Sequence, residues 1–404
     1  MIPRHLAPLL KTAAAQYPIV SVTGPRQSGK TTLVRATFPA YDYVSLEAPD
    51  HRAFALDDPR GFLRQFDGPV ILDEVQKTPE MFSYLQGVVD EEQQRGRFIL
   101  TGSHNLLYYK PGLLLEKISQ SLAGRCAIHR LLPLAVTEIT RRAPLDPAEI
   151  GVTLSRRPPT PGGPWEVIHR GGYPRLHEGA LDPHDWLRNY YQTYLERDLR
   201  EVTHVGDLEA FARFVRLCAG RCGQLLNLVA LANDCGISHT TAKRWLSLLE
   251  SSFVVFLLRP HFQNFSKRLV KMPKLYFIDT GLLCYLLRIR DARELRIHGM
   301  RGAVFENWVI EELLKNYHNR GREPDLYFWR DSRGNEIDLV LDLGQRLLPI
   351  EIKSGETVAE DFFKGLEHWR RLTGKAEAPG ALVYGGERSY RQRGFTVYAW
   401  DQWG

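Results

Sequence analysis

A multidomain α/β fold is what the sequence predicts, with a parallel sheet between helices first and a second α/β domain last. Three observations carry this. A β-branched run (Ile19, Val20, Val22) ends at Gly24, the pattern Gly24-x-x-x-x-Gly29-Lys30-Thr31 follows, and Leu33 and Val34 resume at helical spacing. Another apolar run, Val70-Ile71-Leu72, ends in Asp73-Glu74. Far downstream, Asp338 precedes Glu351-Ile352-Lys353 on a second alternating stretch. A chain of 404 residues exceeds one ordinary core, so about two to four domains are expected.

Residues 1–17 read as an opening helix with Leu6, Leu9 and Leu10 on its apolar side. The strand at 19–22 then runs into a P-loop, in its required context of strand before and helix after. Glycines are needed there because the backbone N–H groups must wrap a phosphate, in conformations that a β-carbon disfavours. Residues Gly24, Pro25, Arg26, Gln27, Ser28, Gly29, Lys30, Thr31 and Thr32 form the expected ATP cradle. Lys30 is expected to reach the β- and γ-phosphates, and Thr31 to hold Mg2+ through its hydroxyl. Residues 41–46 alternate as a strand ending at Glu47, and residues 50–67 look helical. The strand at 70–72 completes a Walker B pattern, in which Asp73 holds Mg2+ and Glu74 orients or deprotonates the attacking water. A helix near 79–94 leads to the strand Phe98-Ile99-Leu100 and its tip, Thr101-Gly102-Ser103. Ser103 is the first choice for sensing the γ-phosphate, ahead of Thr101 and Asn105, with a plain strand-end turn as the competing reading. Arg125, in Leu122-Ala123-Gly124-Arg125, is either a stabiliser of transition-state charge, in cis or from a neighbouring subunit, or a surface salt-bridge arginine. These elements make residues 1–140 the ATPase domain.

The Arg-, Pro- and Gly-rich residues 141–164 read as a linker or surface loop. A helical connector is expected over 165–222, where Trp186, Tyr190, Tyr191 and Tyr194 fall at core-packing spacing beside Glu196-Arg197-Asp198. Cys218, Cys222 and Cys235 fit no common zinc spacing and read as buried thiols. Gly171-Gly172-Tyr173-Pro174 looks like a rigid turn of unassigned role. Over 223–290 a short helix, a turn and a longer helix capped by Ser238 precede a strand, then a basic loop with Lys267, Arg268, Lys271 and Lys274, and a further strand. This is a winged-helix order, equally compatible with DNA contact and with packing on neighbouring domains.

Residues 295–404 read as a third structural unit. A helix carries Phe305-Glu306-Asn307-Trp308, a turn-linked strand pair spans 326–341, and a strand at 347–353 leads to an amphipathic helix with Phe362, Phe363, Leu366 and Trp369. Two short strands, near 381–384 and 395–399, close the chain. Glu351 and Lys353 are two apart on a strand and so share a face. Asp338, on the adjacent strand, can meet them there, in the arrangement of the restriction-endonuclease-like superfamily. Asp338 and Glu351 would hold Mg2+ or Mn2+, Glu306 would complete the metal shell, and Lys353 would position or help deprotonate water. Three charged residues on a solvated strand end are the alternative.

A hydrophobic content of 44% and a charged content of 25% are those of a globular protein. The N-terminus lacks a signal-peptide run, and no stretch reaches the roughly 20 apolar residues of a membrane span. No membrane is therefore expected, and five scattered cysteines argue for a reducing, cytoplasmic setting. A net charge of +6 permits local nucleic-acid binding without establishing it.

Taken together, Gly24-Pro25-Arg26-Gln27-Ser28-Gly29-Lys30-Thr31, Ile71-Leu72-Asp73-Glu74-Val75-Gln76, Leu100-Thr101-Gly102-Ser103, Ser121-Leu122-Ala123-Gly124-Arg125, Gly171-Gly172-Tyr173-Pro174, the stretch from Lys274 to Leu282 and Glu351-Ile352-Lys353 resemble a family of bacterial and archaeal AAA-type ATPases. That family carries a C-terminal domain long described as of unknown function. The resemblance implies an ATPase module, a winged helix and an endonuclease-like domain, and supplies no settled substrate. It leaves an ATP-dependent enzyme acting on DNA, with a regulatory switch that binds nucleic acid or protein without cutting as the alternative. A homo-oligomer, with an arginine shared between subunits, is compatible with either.

Overall fold

The computed structural model describes residues 1–103, 122–152, 154, 160–193, 207–261, 271–374 and 378–403. Asn105, Ser121, Tyr194, Glu196, Arg197, Asp198, Lys267 and Arg268 lie outside the described residues. The chain forms two compact units, one of Met1–Leu134, Leu246–Val254 and His318–Arg322, the other of Ala135–Trp245, Val255–Tyr317 and Glu323–Gly404.

In the first unit, strands β1 (Ile19–Thr23), β2 (Asp42–Ser45), β3 (Val70–Asp73), β4 (Phe98–Gly102) and β5 (Cys126–Arg130) form one sheet in the order β2-β3-β4-β1-β5. Every pairing is parallel. Both faces are covered, which is why the strands read as continuous apolar runs. Val20, Val22, Ile71 and Ile99 face a core completed by Leu6, which precedes helix α1 (Ala7–Ala14), by Leu10 of that helix, and by Leu33 and Val34 of α2 (Lys30–Thr37). Ile19, Val70, Leu72 and Leu100 face the opposite core. There they meet Ala55 of α3 (Pro49–Asp57), Phe62 of α4 (Pro59–Arg64) and Phe82 and Leu85 of α5 (Met81–Glu92). The single helix expected over 50–67 is therefore two. Pro59 has no N–H to continue α3, and Asp58 starts α4 by accepting a hydrogen bond from Gly61 N at 2.9 Å.

The second unit begins with α6 (Val136–Ile139) and the helices α7 (Pro164–Arg170), α8 (Pro183–Tyr190) and α9 (Leu208–Gly220). Helix α10 (Leu228–Cys235) follows, then α11 (His239–Ser251), of which the residues up to Trp245 belong to this unit, and Ser238 accepts from Thr241 N at 3.1 Å, the expected cap. Phe211 and Phe214 of α9 pack edge-on against Trp245. Strands β6 (Val255–Pro260) and β7 (Lys274–Phe277) pair antiparallel as a ribbon. Helices α12 (Thr280–Leu286), α13 (Ala292–Ile297) and the long α14 (Arg301–Asn319) lead to β8 (Leu326–Arg330), β9 (Glu336–Asp342) and β10 (Leu347–Lys353). Helix α15 (Lys364–Thr373) and strands β11 (Ala381–Tyr384), β12 (Tyr390–Gln392) and β13 (Phe395–Ala399) finish the unit. The strand order is β12-β13-β11-β10-β9-β8-β6-β7, because β6 adds to β8 at Arg259 and Pro260. Leu366 and Trp369 of α15 pack on this sheet with Trp329, Val340, Leu382 and Val397.

Two expectations change and a third narrows. The ribbon is the edge of the C-terminal sheet rather than part of a separate unit. Lys274 belongs to β7 and is only 3% exposed, not a member of a solvated basic loop. Of the two forms expected for 141–164, a linker or a surface loop, the described part takes the second, as a docked strap. Leu145 N donates to Asn316 Oδ1 at 2.8 Å, Gly151 N to the Tyr398 hydroxyl at 2.8 Å, and Arg346 to Ala148 O at 2.8 Å. Its few apolar residues, Leu145 and Ile150, are buried, which composition alone hides.

Candidate functional site

The P-loop leaves β1 at the C-terminal end of the parallel sheet. A β-carbon on Gly24 would lie 2.0 Å from Leu131 O, so only glycine lets the loop turn there. Gly29 is left-handed (φ 90°) and caps α2 with no side-chain partner, so the first N–H groups of that helix stay available for an anion. Lys30 is 5% exposed, and its Nζ donates to Gly24 O at 3.0 Å and Pro25 O at 2.8 Å. Burial lowers its pKa to about 8, an effect that Glu74 and Asp73 partly offset. The buried Ser28 hydroxyl has no hydrogen-bond partner. Arg26 pairs with Glu47 at 3.6 Å, and Gln27 is left-handed (φ 63°). Arg4, which sequence reasoning passed over, donates to Ser28 O and to Leu132 O, each at 2.7 Å. It fixes the loop from outside.

Strand β4 lies between β1 and β3, so its tip sits between the two nucleotide motifs. Thr31 Oγ1 donates to Asp73 Oδ1 at 2.9 Å, Thr101 donates to the same oxygen, and the Tyr43 hydroxyl donates to Oδ2 at 2.9 Å. Ser103 Oγ donates to Glu74 Oε2 at 3.0 Å, and Gln76 donates both to Ser103 Oγ at 3.1 Å and to Glu74. Glu74 itself is left-handed (φ 58°). Lys30, Thr31, Asp73, Glu74 and Ser103 are thus brought together. Tyr43 and Gln76 were missed, although Gln76 stands two residues past Glu74 in a stretch already singled out. Beside α2, Thr31 and Thr32 line a pocket of about 550 Å3 with Arg35, Tyr41 and Tyr43. A buried ammonium bound only by loop carbonyls, an unpartnered buried hydroxyl and an open helix N-terminus fit a bound triphosphate. A hydroxyl beside a carboxylate fits its Mg2+.

Arg125 is not brought there. It precedes β5, whose Cys126 pairs with Ile19 at the start of β1, so it lies roughly 16 Å of strand away from the P-loop. Its guanidinium binds Asp90 at 2.6 and 2.9 Å, which holds the Asp90 carboxyl below the usual range. A role in cis is therefore corrected to a surface ion pair.

The second unit gathers the C-terminal candidates. Lys353 Nζ lies 2.9 Å from Asp338 Oδ2 and 2.7 Å from Glu351 Oε2, and Ile352 N donates to Asp338 Oδ2 at 2.9 Å. Burial and the neighbouring Asp338 push the Glu351 carboxyl well up. Burial also acts upward on Asp338, but Lys353 and Lys274 outweigh it and hold that group low. Gly365 of α15 covers Glu351 so closely that a β-carbon there would lie 1.8 Å from Oε1. Glu306 is present too, but it faces Lys274 Nζ at 3.1 Å and accepts from the Tyr276 hydroxyl. Lys274 also pairs with Glu336. Among the described residues, the only three potential ligand groups within 4.8 Å of one another are Asp182, His184 and Asp185, not these carboxylates. The Gly171-Gly172 turn gains a structural role, because Gly172 N donates to Asp279 Oδ2 at 2.7 Å while Asp279 Oδ1 caps α12 at Leu282 N, 2.9 Å away.

Residues 16–140 match a family model described as an AAA domain, residues 164–293 a domain of unknown function (DUF8612), and residues 301–403 another (DUF4143). Uncharacterized proteins of Mycobacterium bovis and Mycobacterium tuberculosis are each 32% identical over 357 residues, covering 88% of this chain and 74% of theirs. Among solved structures, a Walker-type ATPase of Pyrococcus abyssi is similar at 15% identity and a TM-score of 0.39, covering 71% of this chain and 96% of its own. AMPPCP-bound DnaA from Aquifex aeolicus is similar at 15% identity and 0.28, covering 61% of this chain and 85% of its own. Likenesses of that size assign no function. No helix among the described residues is long and apolar enough to cross a membrane.

Proposed function

The chain belongs to the same family as the two mycobacterial proteins, with an AAA domain at its start, and on that premise we propose that it hydrolyses ATP to control a DNA-acting second unit. The observation that supports ATP hydrolysis is the convergence of Lys30, Thr31, Asp73, Glu74 and Ser103 at one sheet end. Mg-ATP, when bound, supplies the scissile phosphoanhydride and the cation that neutralises it. Lys30 exchanges its two loop carbonyls for phosphate oxygens, as the unpartnered Ser28 hydroxyl and the open α2 N-terminus gain partners. Thr31 and Asp73 would hold the cation. Glu74, released by Ser103 and Gln76, takes the proton of the attacking water, and Ser103 orients toward the γ-phosphate.

Helices α10 and α11 with the β6–β7 ribbon are read as a winged helix that binds DNA. Asp338, Glu351 and Lys353 are read as a Mg2+- or Mn2+-dependent nuclease site. The second reading, a switch that binds DNA or protein without cutting, is favoured by one observation: lysines already occupy the carboxylates. Linear, nicked and branched DNA with Mg2+ or Mn2+, with and without ATP, separates the two. Cutting by the wild type that Asp338→Ala abolishes, with ATP hydrolysis intact, supports the nuclease reading. DNA binding without any cutting leaves the switch.

A further inference from the structure

Lys274 and Tyr276 lie outside both the nucleotide site and the Asp338, Glu351 and Lys353 set, yet both touch Glu306. Lys274 and Tyr276 are two apart on β7, so both side chains leave the same face of the strand. Both end on Glu306: the lysine at 3.1 Å, the tyrosine by a hydrogen bond from its hydroxyl. The same ammonium pairs with Glu336 and lies 5.5 Å from the Phe328 ring centroid. The cluster thus alternates acid and base. Glu306 and Glu336 share Lys274, while Asp338 and Glu351 share Lys353. With Glu306 in place the four acids face three cationic groups, Lys274, Lys353 and Arg330, whose Nη1 pairs with Glu336 at 2.8 Å, so the acids remain in excess. Yet each ammonium stands between a pair of carboxylates, and no three of these acids bring their oxygens within 4.8 Å.

We propose that Lys274 is the internal counter-ion of this cluster, a positioning residue that holds Glu306 against β7 and keeps it from the cation site of Asp338 and Glu351. The inference rests on the cluster being a cation site, as read above. Strand β7 is the last strand of the sheet, and its far side is met by residues 223–226, where Gly223 N donates to Leu275 O and Leu226 N to Pro273 O, each at 2.8 Å. A load on the ribbon that shifts this edge strand withdraws both restraints on Glu306 together. Glu306 then turns toward Asp338 only with a cation between them, because the two carboxylates repel each other.

The test is Mn2+ binding to the nucleotide-free full chain, followed by the EPR signal of free Mn2+, with Asp338→Asn defining the part that belongs to the cluster. Lys274→Met is expected to tighten that part at least tenfold, and Lys274→Arg to leave it unchanged. Adding Glu306→Gln to Lys274→Met is expected to cancel the gain. A lysine with only a structural role lowers the melting temperature without moving Mn2+ affinity. If Lys274→Met does not fold, Tyr276→Phe frees one Glu306 oxygen at constant charge, with a gain of about threefold expected. Equal Asp338-dependent affinity in wild type and variant overturns the role of Lys274 and leaves the cation-site reading standing. No Asp338-dependent binding in any variant overturns both. Binding that appears only in Lys274→Met supports the inference whether or not the protein ever cuts DNA.

Discussion

Replacing Lys30 by methionine tests the nucleotide site through an effect opposite to the usual one. The ammonium is buried, and its pKa falls from 10.5 to about 8 even with Asp73 and Glu74 nearby. A drop of that size corresponds to about 3 kcal/mol against folding when the lysine is charged. Methionine removes that penalty but leaves Gly24 O and Pro25 O without their donor, a loss of about 1–2 kcal/mol. The nucleotide-free variant is therefore expected to be more stable than wild type by about 1–2 kcal/mol at pH 7, while its ATP affinity falls at least a hundredfold. The sign reverses with pH. A lysine whose folded pKa is depressed carries its full penalty below pH 8 and sheds it between about 8 and 10.5, so wild-type stability gains on the variant across that window. Near pH 8, ATP binding to wild type is expected to take up about half a proton, since phosphate oxygens favour the charged form. Thermal unfolding of the transition that ATP shifts, with calorimetric titrations in buffers of differing ionisation enthalpy, reads all three. A Lys30→Met protein clearly less stable than wild type at pH 7, with no proton uptake on ATP binding to wild type at pH 8, refutes the argument.

Glu74→Gln keeps the size of the side chain while removing the base, so kcat for ATP hydrolysis is expected to fall 10²- to 10⁴-fold with ATP affinity within threefold of wild type; steady-state assays and equilibrium binding check it. Arg125→Ala is expected to leave ATP affinity and hydrolysis unchanged in dilute protein, because its partner is Asp90 on the far side of the sheet from the P-loop; loss of hydrolysis only at concentrations where the chain self-associates would instead mark a role at a neighbour's site. Asp279→Ala leaves the buried Gly172 N and Leu282 N without an acceptor, and is expected to lower stability by about 2–4 kcal/mol in denaturant unfolding.

The nucleotide half of the site was legible because its chemistry is local. Gly24, Gly29, Lys30 and Thr31 stand in one turn, and Asp73-Glu74 end one strand, so spacing alone carries the geometry. Ser103 was ranked first as a polar group at a strand tip expected beside the P-loop strand, and in the structure the tip of β4 lies between the two motifs. Tyr43 and Arg4 were not legible, since nothing in the sequence says that β2 pairs beside β3 or that the first residues return to the P-loop. The second unit repeats the lesson. Glu351 and Lys353 share a face by the two-residue period of a strand, but Lys274 arrives from a strand more than sixty residues earlier. That contact follows from sheet order, which periodicity does not encode. The stretch near 145–151 could be read only as a linker or surface loop for a different reason: its backbone groups are satisfied by Asn316, Tyr398 and Arg346, and composition rules see only the prolines and arginines around it.

The two carboxylate sites also differ in what holds them without a cation, and the difference sets how readily each one opens. Asp73 is held by three neutral hydroxyls, those of Thr31, Tyr43 and Thr101. A hydroxyl can turn its lone pair toward an arriving cation, and exchanging its bond to a carboxylate costs about 1.5–3 kcal/mol, much of it returned by the new contact. Asp338 and Glu351 are held by an ammonium, and so are Glu306 and Glu336. An ammonium has no lone pair to offer and repels the cation that approaches it. Lys353 has an exposed route, being about one-third accessible at its side chain, so it can swing away; Lys274, at 3%, cannot leave without the strand that bears it. The Asp73 site is thus built to fill whenever Mg-nucleotide is present. If Asp338 and Glu351 form a cation site guarded by Lys274, as inferred above, that site fills only when β7 moves, and DNA cleavage with Lys274 still paired to Glu306 would contradict the placement of that lysine.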